Sequence, residues 1–529
     1  MQKFKKSYIF TLLLILTLVL AACSDDKKEE SSDNPKSNNE GGNLVIATQS
    51  DAVSLDPHLT NDTASANVRI NIYDTLVVQD ENMQNQPGLA ESWEQVDDTT
   101  WEFKLRQGVT FHDGTPFNAE VVKANIERIL DPKIASPVQF MYNMIDSVEV
   151  VDDYTVRIKT KYPFSPLPAH FAHPGGQMIS KKQIEEDYAA MEKGEKPGSV
   201  INANPIGTGQ FKFKEWKNGQ SITLVKNEDY WGEPSKLDSV TFKVVPEDLT
   251  RISELQTGDS HISTPLSPSD LEQVDNTDGL HSQKTKSSAV TYIGMNMSKK
   301  PFDDVRVRQA IAMAIDKKEI IDGIYNGVAI EAKGPLAPGL FGYDDSIKGI
   351  EYNPEKAKEL LAEAGYPNGF STTIWTNDDR QRSDIATNVQ SQLAKIGIKV
   401  EVKTLEWASM LEQTAKGEHE MMVFGWTTVT GDADNGLYAL YHSSNVGVQG
   451  NRTFTKDAEL DKALDEARKT ADPEKRQEFY SQAQQRITEL APCVFLLHQE
   501  NLVAVRDEVK GLKQLPIGLL DLKKVSIEK

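Results

Sequence analysis

The sequence is poor in cysteine. Only Cys23 and Cys493 occur in 529 residues, so no disulfide framework staples the fold. Positive charge is also in deficit: 58 Lys and Arg stand against 79 Asp and Glu, a net charge of −21. That argues against nucleic acid or anionic lipid as the main partner, since both demand a positive surface. No G-x-S-x-G elbow, Walker A loop, H-E-x-x-H or C-x-x-C occurs, and nothing supports an enzyme. The nine histidines are scattered. None is taken as a metal ligand, and His58 and His112 read as turn or surface residues. Gly207-Thr208-Gly209 lacks the third glycine of a dinucleotide fingerprint and reads as a turn beside a strand. "GDADNG" opens like a calcium loop but places Gly436 where an Asp or Asn is required. Neither a cofactor nor a metal is expected. Beyond the N-terminus no run approaches transmembrane length.

What is present begins with that N-terminus. Lys3, Lys5 and Lys6 precede the apolar run Ile9–Leu20, a basic region and hydrophobic core of signal-peptide proportions. Leu20-Ala21-Ala22-Cys23 matches the bacterial lipobox, so Cys23 is expected to carry diacylglycerol and an acyl chain such as palmitate. Two chains anchor stably at about 0.8 kcal/mol per buried methylene. Residues 24–42 contain no large apolar side chain and read as a disordered tether. The expectation is a monomeric body on the extracytoplasmic face of a Gram-positive-type cell membrane. Cys493, in "LAPCVFLLH", reads as a small core hydrophobe.

Residues 43–529 exceed what one core organises, which points to two or three domains. Trp101, Phe103 and Leu105 alternate as in a half-buried strand, and "VEVVDDYTVRIKT" reads as a hairpin. "SITLVK" and "DSVTFKVV" read as two strands around a turn-rich segment. Asn353 and Pro354 open a helix that Gly365 stops. Ile385, Val389, Leu393 and Ile396 share one helical face, predicting a helix over 384–396, and Ile398, Val400 and Val402 follow as a strand. Asp472-Pro473 opens another helix. Helices and strands mixed without a fixed period indicate an α/β protein.

"LAESWEQVDDTTWEFKLRQGVTFHDGTPFNAEVVKANIER", Leu89 to Arg128, strongly resembles the signature region of solute-binding family 5, the peptide- and nickel-binding receptors of ABC importers. "SLDPH" (54–58), "NPIGTGQFKFKEW" (204–216), "KPFDDVRVRQAIAMAIDK" (300–317), "AKELLAEAGYPNGFSTTIW" (357–375) and "FGWTTVTGDADN" (424–435) follow the family's order. The resemblance covers essentially the whole chain beyond the tether. It implies a two-lobed periplasmic-binding-protein-like clamshell with an additional inserted domain. Lobe I would comprise 43–78, 200–290 and 498–529, the inserted domain 79–199, and lobe II 291–497, with hinge strands near 290 and 498. Its partners would be permease subunits and their ATPases, with no nucleic acid.

In peptide-binding relatives the loop before the 384–396 helix receives the ligand's carboxylate. Here it contains Arg380 and Arg382, whose guanidinium groups suit a bidentate pair, unless Asp378, Asp379 or Asp384 already occupy them. The family's amine-binding aspartate, three residues after the tryptophan equivalent to Trp426, is replaced by Val429. Asp432 or Asp434 could substitute from the same loop, with Thr427 and Thr428 supplying hydroxyls. Trp375, Trp426 and Tyr438 are either cleft walls or core aromatics. The tryptophan-loop pattern resembles the glutathione-binding branch, so the expected ligand is a short peptide, with glutathione a specific candidate. A nickel-chelate, haem or oligosaccharide receptor and a peptide-sensing receptor remain open. His419 and His442 flank the ligand region.

Overall fold

One strand organises the molecule. Cys493–Arg506 is fourteen residues long, and its two halves belong to different surroundings. The first half pairs antiparallel with Ala289–Met295, Phe495 lying opposite Tyr292, and with Ala329–Glu331. The second half pairs with Leu280–Lys286, Val503 opposite Gln283, and with Ile262–Thr264. The computed structural model describes residues 41–447 and 450–528. The signal segment, Cys23 and the tether to residue 40 lie outside them. Glu40–Lys529 form one compact unit.

From the shared strand the sheet runs outward both ways. One wing continues through Ala289–Met295, Met421–Thr427, Ser371–Asn377 and Lys399–Leu405. Ser371–Asn377 and Lys399–Leu405 are parallel, a pairing that needs a crossover; the helix Arg380–Ala394 supplies it. This helix starts four residues earlier than its apolar periodicity predicts, because Asp379 caps it by accepting the Arg382 N–H at 2.9 Å. The other wing continues through Ile262–Thr264, Asn43–Thr48, Ser239–Val244, Ser221–Lys226 and Phe211–Lys217. Each wing has its own core. Ile293, Ile311, Ile374, Val389, Leu393 and Leu496 pack in the first, and Leu44, Ile46, Phe211, Leu224, Phe242 and Val503 in the second. Two strand segments cross between wings, at Lys286–Ala289 and around Gln499–Glu500. We call the wings lobe II and lobe I respectively.

A third core surrounds a four-stranded antiparallel sheet, Ala90–Asp97, Thr100–Leu105, Thr155–Thr160 and Ile145–Asp152. Phe103 and Leu105 are buried and Trp101 is half-buried. The helix Ala119–Leu130, capped by Asn118, packs Val122, Ile126 and Ile129 into this core. The core extends in sequence from Leu76 to Met178. Ile179, Ile184 and Ile201 turn instead into the core of lobe I.

Buried charge joins this inserted body to lobe I. Arg128 donates to both Asp56 carboxylate oxygens at 3.1 and 2.7 Å and to Asp187 at 2.9 Å, with His58 Nδ1 at 2.9 Å. The side chains of Arg128 and Asp56 are fully excluded from solvent. Removing one member of such a cluster costs about 3–5 kcal/mol, because the partner charge is left uncompensated. His58, expected at a turn or the surface, is therefore an interior residue. His112 is half-buried, its Nε2 2.9 Å from the Gly209 carbonyl. The Gly-Thr-Gly stretch has its reason here. A Cβ on Gly207 would lie 2.1 Å from the Ile72 carbonyl oxygen, and one on Gly209 2.5 Å from that of Asn71. Between them Thr208 donates to Asp74 at 2.9 Å.

Candidate functional site: the interlobe cleft

Two cavities lie along the cleft and share Thr63, Thr427 and Ile517 in their walls. The larger, about 1010 Å³, is lined by lobe II aromatics, by Met141, Tyr162 and His170 of the inserted body, and by Arg69 of lobe I. Its charged wall residues are Arg69, Arg382, Arg452 and Arg468 against Asp62 and Asp434. The smaller, about 700 Å³, has the opposite balance: Asp51, Asp248, Asp378, Asp379 and Glu500 against Arg380.

The two predicted arginines occupy a first helical turn and not a loop, and they diverge. Arg380 stands in the smaller cavity's wall, its side chain 86% exposed and 4.0 Å from Asp384. Arg382 turns into the larger cavity. Its Nη1 donates to Asn377 Oδ1 at 3.1 Å, and its guanidinium lies 5.0 Å from the Trp407 ring and 5.9 Å from Phe424. Arg452, which sequence reasoning missed, reaches the same ring from 5.5 Å and donates Nε–H to Thr414 Oγ1 at 3.1 Å. Burial lowers its pKa below the ordinary arginine value. Neither Arg382 nor Arg452 forms an ion pair among the described residues. Two cations without carboxylates, set around one aromatic ring, make an anion-accepting end.

The predicted acids are already engaged. Asp432 caps the helix Ala433–Tyr441 and accepts from Arg476 Nη2 at 2.7 Å and Tyr480 OH at 2.9 Å. It lies outside both cavity walls. Asp434 lines the larger cavity and receives Arg468 through two bonds of 2.6 and 2.9 Å. Burial alone would raise its carboxyl pKa, but the Arg468 charge and hydrogen bonds hold it below the usual range.

Thr427 lines both cavities, whereas Thr428 is buried against Gly436. Trp426 stands in the larger cavity's wall with its Nε1 buried and without a hydrogen-bond partner among the described residues. Tyr438 is also in that wall, stacked on His442 at 4.1 Å, with the Arg468 guanidinium 3.1 Å from its centroid. Trp375 belongs to the core, its Nε1 donating to Thr373 Oγ1 at 3.2 Å, and His419 is buried 6.2 Å from its ring. Among the described residues no group of three or more His, Cys, Asp or Glu is placed to hold a metal ion, and no helix is long and apolar enough to cross a membrane.

The loop after Thr427 also meets the inserted body. Val429 packs against that body's core, and Met83 packs into a lobe II cluster. Gln79 donates to the Thr430 carbonyl. Gly431, at φ +68°, lies so close that a Cβ would meet the Met83 carbonyl oxygen at 2.7 Å.

Two sheet wings crossed by shared strands, with a cavity between them and an inserted third body, define a periplasmic-binding-protein type II receptor. The profile of the family described as "Bacterial extracellular solute-binding proteins, family 5 Middle" matches residues 84–448, and the chain belongs to that family. It is 35% identical over 482 residues to the glutathione-binding protein GsiB of Pectobacterium atrosepticum, covering 89% of this chain and 91% of that one. It is 37% identical over 460 residues to heme-binding protein A of Haemophilus influenzae, covering 82% of each. Among solved structures, the ABC transporter-associated periplasmic binding protein DppA from Helicobacter pylori, in complex with peptide STSA, superposes with a TM-score of 0.80. That match has 34% identity and covers 92% of this chain and 98% of the other. All three of these relatives carry the names of binding proteins.

Proposed function

We propose that this chain is the lipid-anchored, substrate-capturing component of an ABC importer, and that it takes a short peptide, with glutathione the specific candidate, between its lobes. One observation carries the reading: Arg382 and Arg452 face the larger cavity without carboxylate partners. A ligand carboxylate supplies the missing charge, and glutathione, with two, matches both guanidinium groups. Trp407, Phe424, Trp426 and Tyr438 in the same wall give apolar surface for the rest of the molecule. The glutathione and peptide ligands named for two of the relatives support the same class.

Capture requires only that ligand bind the closed clamshell better than the open one, after which the closed form is handed to the permease. The Leu20–Cys23 motif supports anchoring through Cys23 at the extracytoplasmic face. The test is calorimetric titration of residues 40–529 with glutathione, with di- to pentapeptides and with the C-terminal amides of those peptides. The reading requires binding of free carboxylates and a loss of at least tenfold on amidation. Equal binding of acid and amide would refute it, and binding of haemin alone would move the assignment to the ligand class of the Haemophilus relative.

A further inference from the structure

The boundary between the two cavities is made of Thr63, Thr427 and Ile517, the residues that stand in both walls. Thr63 opens the lobe I helix Thr63–Arg69, and Thr427 ends the lobe II strand Met421–Thr427. Ile517 is the apolar member. It is half-buried at the tip of a hairpin that joins Lys513–Gln514 to Leu520–Asp521. The run Leu515-Pro516-Ile517-Gly518-Leu519 builds this tip. Gly518 N–H donates to the Leu515 carbonyl at 2.8 Å, and Leu515 N–H donates to that of Leu519 at 2.8 Å. Pro516 has the fixed φ suited to the second turn position, and Gly518 takes the left-handed φ of +85° that follows such a turn.

The hinge holds the tip in place. Ser288, in one crossing segment, donates its N–H to the Pro516 carbonyl at 3.0 Å. Asn501, next to the other, donates from Nδ2 to the carbonyls of Leu515 and Pro516 at 3.3 and 3.0 Å. The Ile517 side chain packs against the lobe II cluster. Because the anchoring bonds end on backbone carbonyls, that side chain can change without releasing the hairpin. The strand then sets a distance. Phe424, beside Arg382 and Arg452, and Thr427 lie on the same strand, about 10 Å apart at about 3.3 Å per residue. An extended peptide advances by about the same step, so it covers this distance in about three residues.

We propose that Ile517 is a length-determining residue, which closes the larger cavity at its Thr427 end and confines an extended ligand to about three residues. The assignment rests on the peptide reading above and narrows it to di- and tripeptides. Beyond the boundary the charge balance reverses, with Asp51, Asp248, Asp378, Asp379 and Glu500 against Arg380. The ligand's carboxylate therefore stays at the Arg382–Arg452 end, and only added length can bring a peptide to the boundary. Length acts through closure. Ile517 and Thr63 belong to lobe I and Thr427 to lobe II, so the boundary is complete only when the lobes meet. A longer chain lying across it keeps Ile517 off the lobe II cluster and disfavours the closed form.

The experiment titrates residues 40–529 with di- to hexa-alanine, probes that differ only in length, and follows melting to show that each variant is folded. The unmodified protein should bind tri-alanine, and penta-alanine about tenfold or more weakly, since the longer chain opposes closure. Ile517→Ala opens the boundary and should bring penta-alanine within about threefold of tri-alanine, with tri-alanine itself changed by less than about threefold. Ile517→Val should fall between. Ile517→Phe narrows the boundary and should weaken tetra-alanine further while leaving di-alanine unchanged. Equal affinity for tri- and penta-alanine in the unmodified protein, or an undiminished gap between them in Ile517→Ala, would overturn the assignment and leave the peptide reading standing. If no alanine peptide binds the unmodified protein, the peptide reading itself fails and the length assignment with it.

Discussion

Replacing Arg382 with alanine separates ligand recognition from fold stability. Among the described residues the guanidinium makes one hydrogen bond, to Asn377, and lies over the Trp407 and Phe424 rings. Those contacts are worth about 0.5–1 kcal/mol each at partly exposed sites, and no carboxylate is orphaned by their loss. The melting temperature should therefore barely move. A ligand carboxylate, by contrast, loses charge-assisted hydrogen bonds worth about 1.5–3 kcal/mol, a fall of about tenfold to 150-fold in affinity. Arg452, 5.5 Å from the Phe424 ring, still supplies one cation, so the single variant should not abolish binding. Removing both arginines leaves the carboxylate without any cation at that end, and the double variant should lose more than either single one. Arg382→Lys should fall between, because a point charge replaces a planar fork and its stacking. Calorimetry with a free peptide and its C-terminal amide provides the assay. The amide should bind the unmodified protein and Arg382→Ala about equally. An affinity for the free acid within threefold of the unmodified protein, or an equal loss for acid and amide, would refute the reasoning.

Three further outcomes follow from the interior. Asp432→Ala leaves Arg476 buried without its carboxylate, so urea unfolding should show a loss of about 3–5 kcal/mol, while the protein that remains folded keeps its ligand affinity. Gly431→Val places a side chain against the Met83 carbonyl and Gln79 Nε2; affinity should drop about tenfold or more, the melting temperature should also fall because a β-branched residue at φ +68° is strained, and unchanged affinity would rule out this contact as part of closure. Burial pushes His173 down to about 3 and His112, His419 and His498 down to about 4. Their folded pKa values lie below the unfolded value near 6.5, so stability is full above about pH 6.5. It falls by up to about 1.4 kcal/mol per group per pH unit as acid approaches pH 4. A melting temperature that stays flat from pH 7.5 to 4.5 would contradict this.

Much of the fold was legible because it is local. Asn353-Pro354 did open a helix, Pro354–Glu363, and the alternation at Trp101–Leu105 did mark a strand. The start of the helix after Asn377 was not legible from its apolar face, because Arg380 to Ser383 carry no apolar side chain and only the Asp379 cap marks the boundary. The site was legible in part. Arg382, Thr427, Trp426, Asp434 and Tyr438 come from two stretches with recognisable patterns, and all five line one cavity. Arg69, His170, Arg452 and Arg468 were missed because they come from distant segments that only the tertiary fold assembles. Nor can sequence show that Asp432 is claimed by Arg476 and Tyr480, more than forty residues away.

The most direct measurement is a crystal structure of residues 40–529 grown with the tightest-binding peptide. The account predicts a ligand carboxylate within hydrogen-bonding distance of Arg382 and Arg452, beside Phe424. A ligand whose carboxylate avoids both arginines, or one bound outside the interlobe cleft, would contradict it.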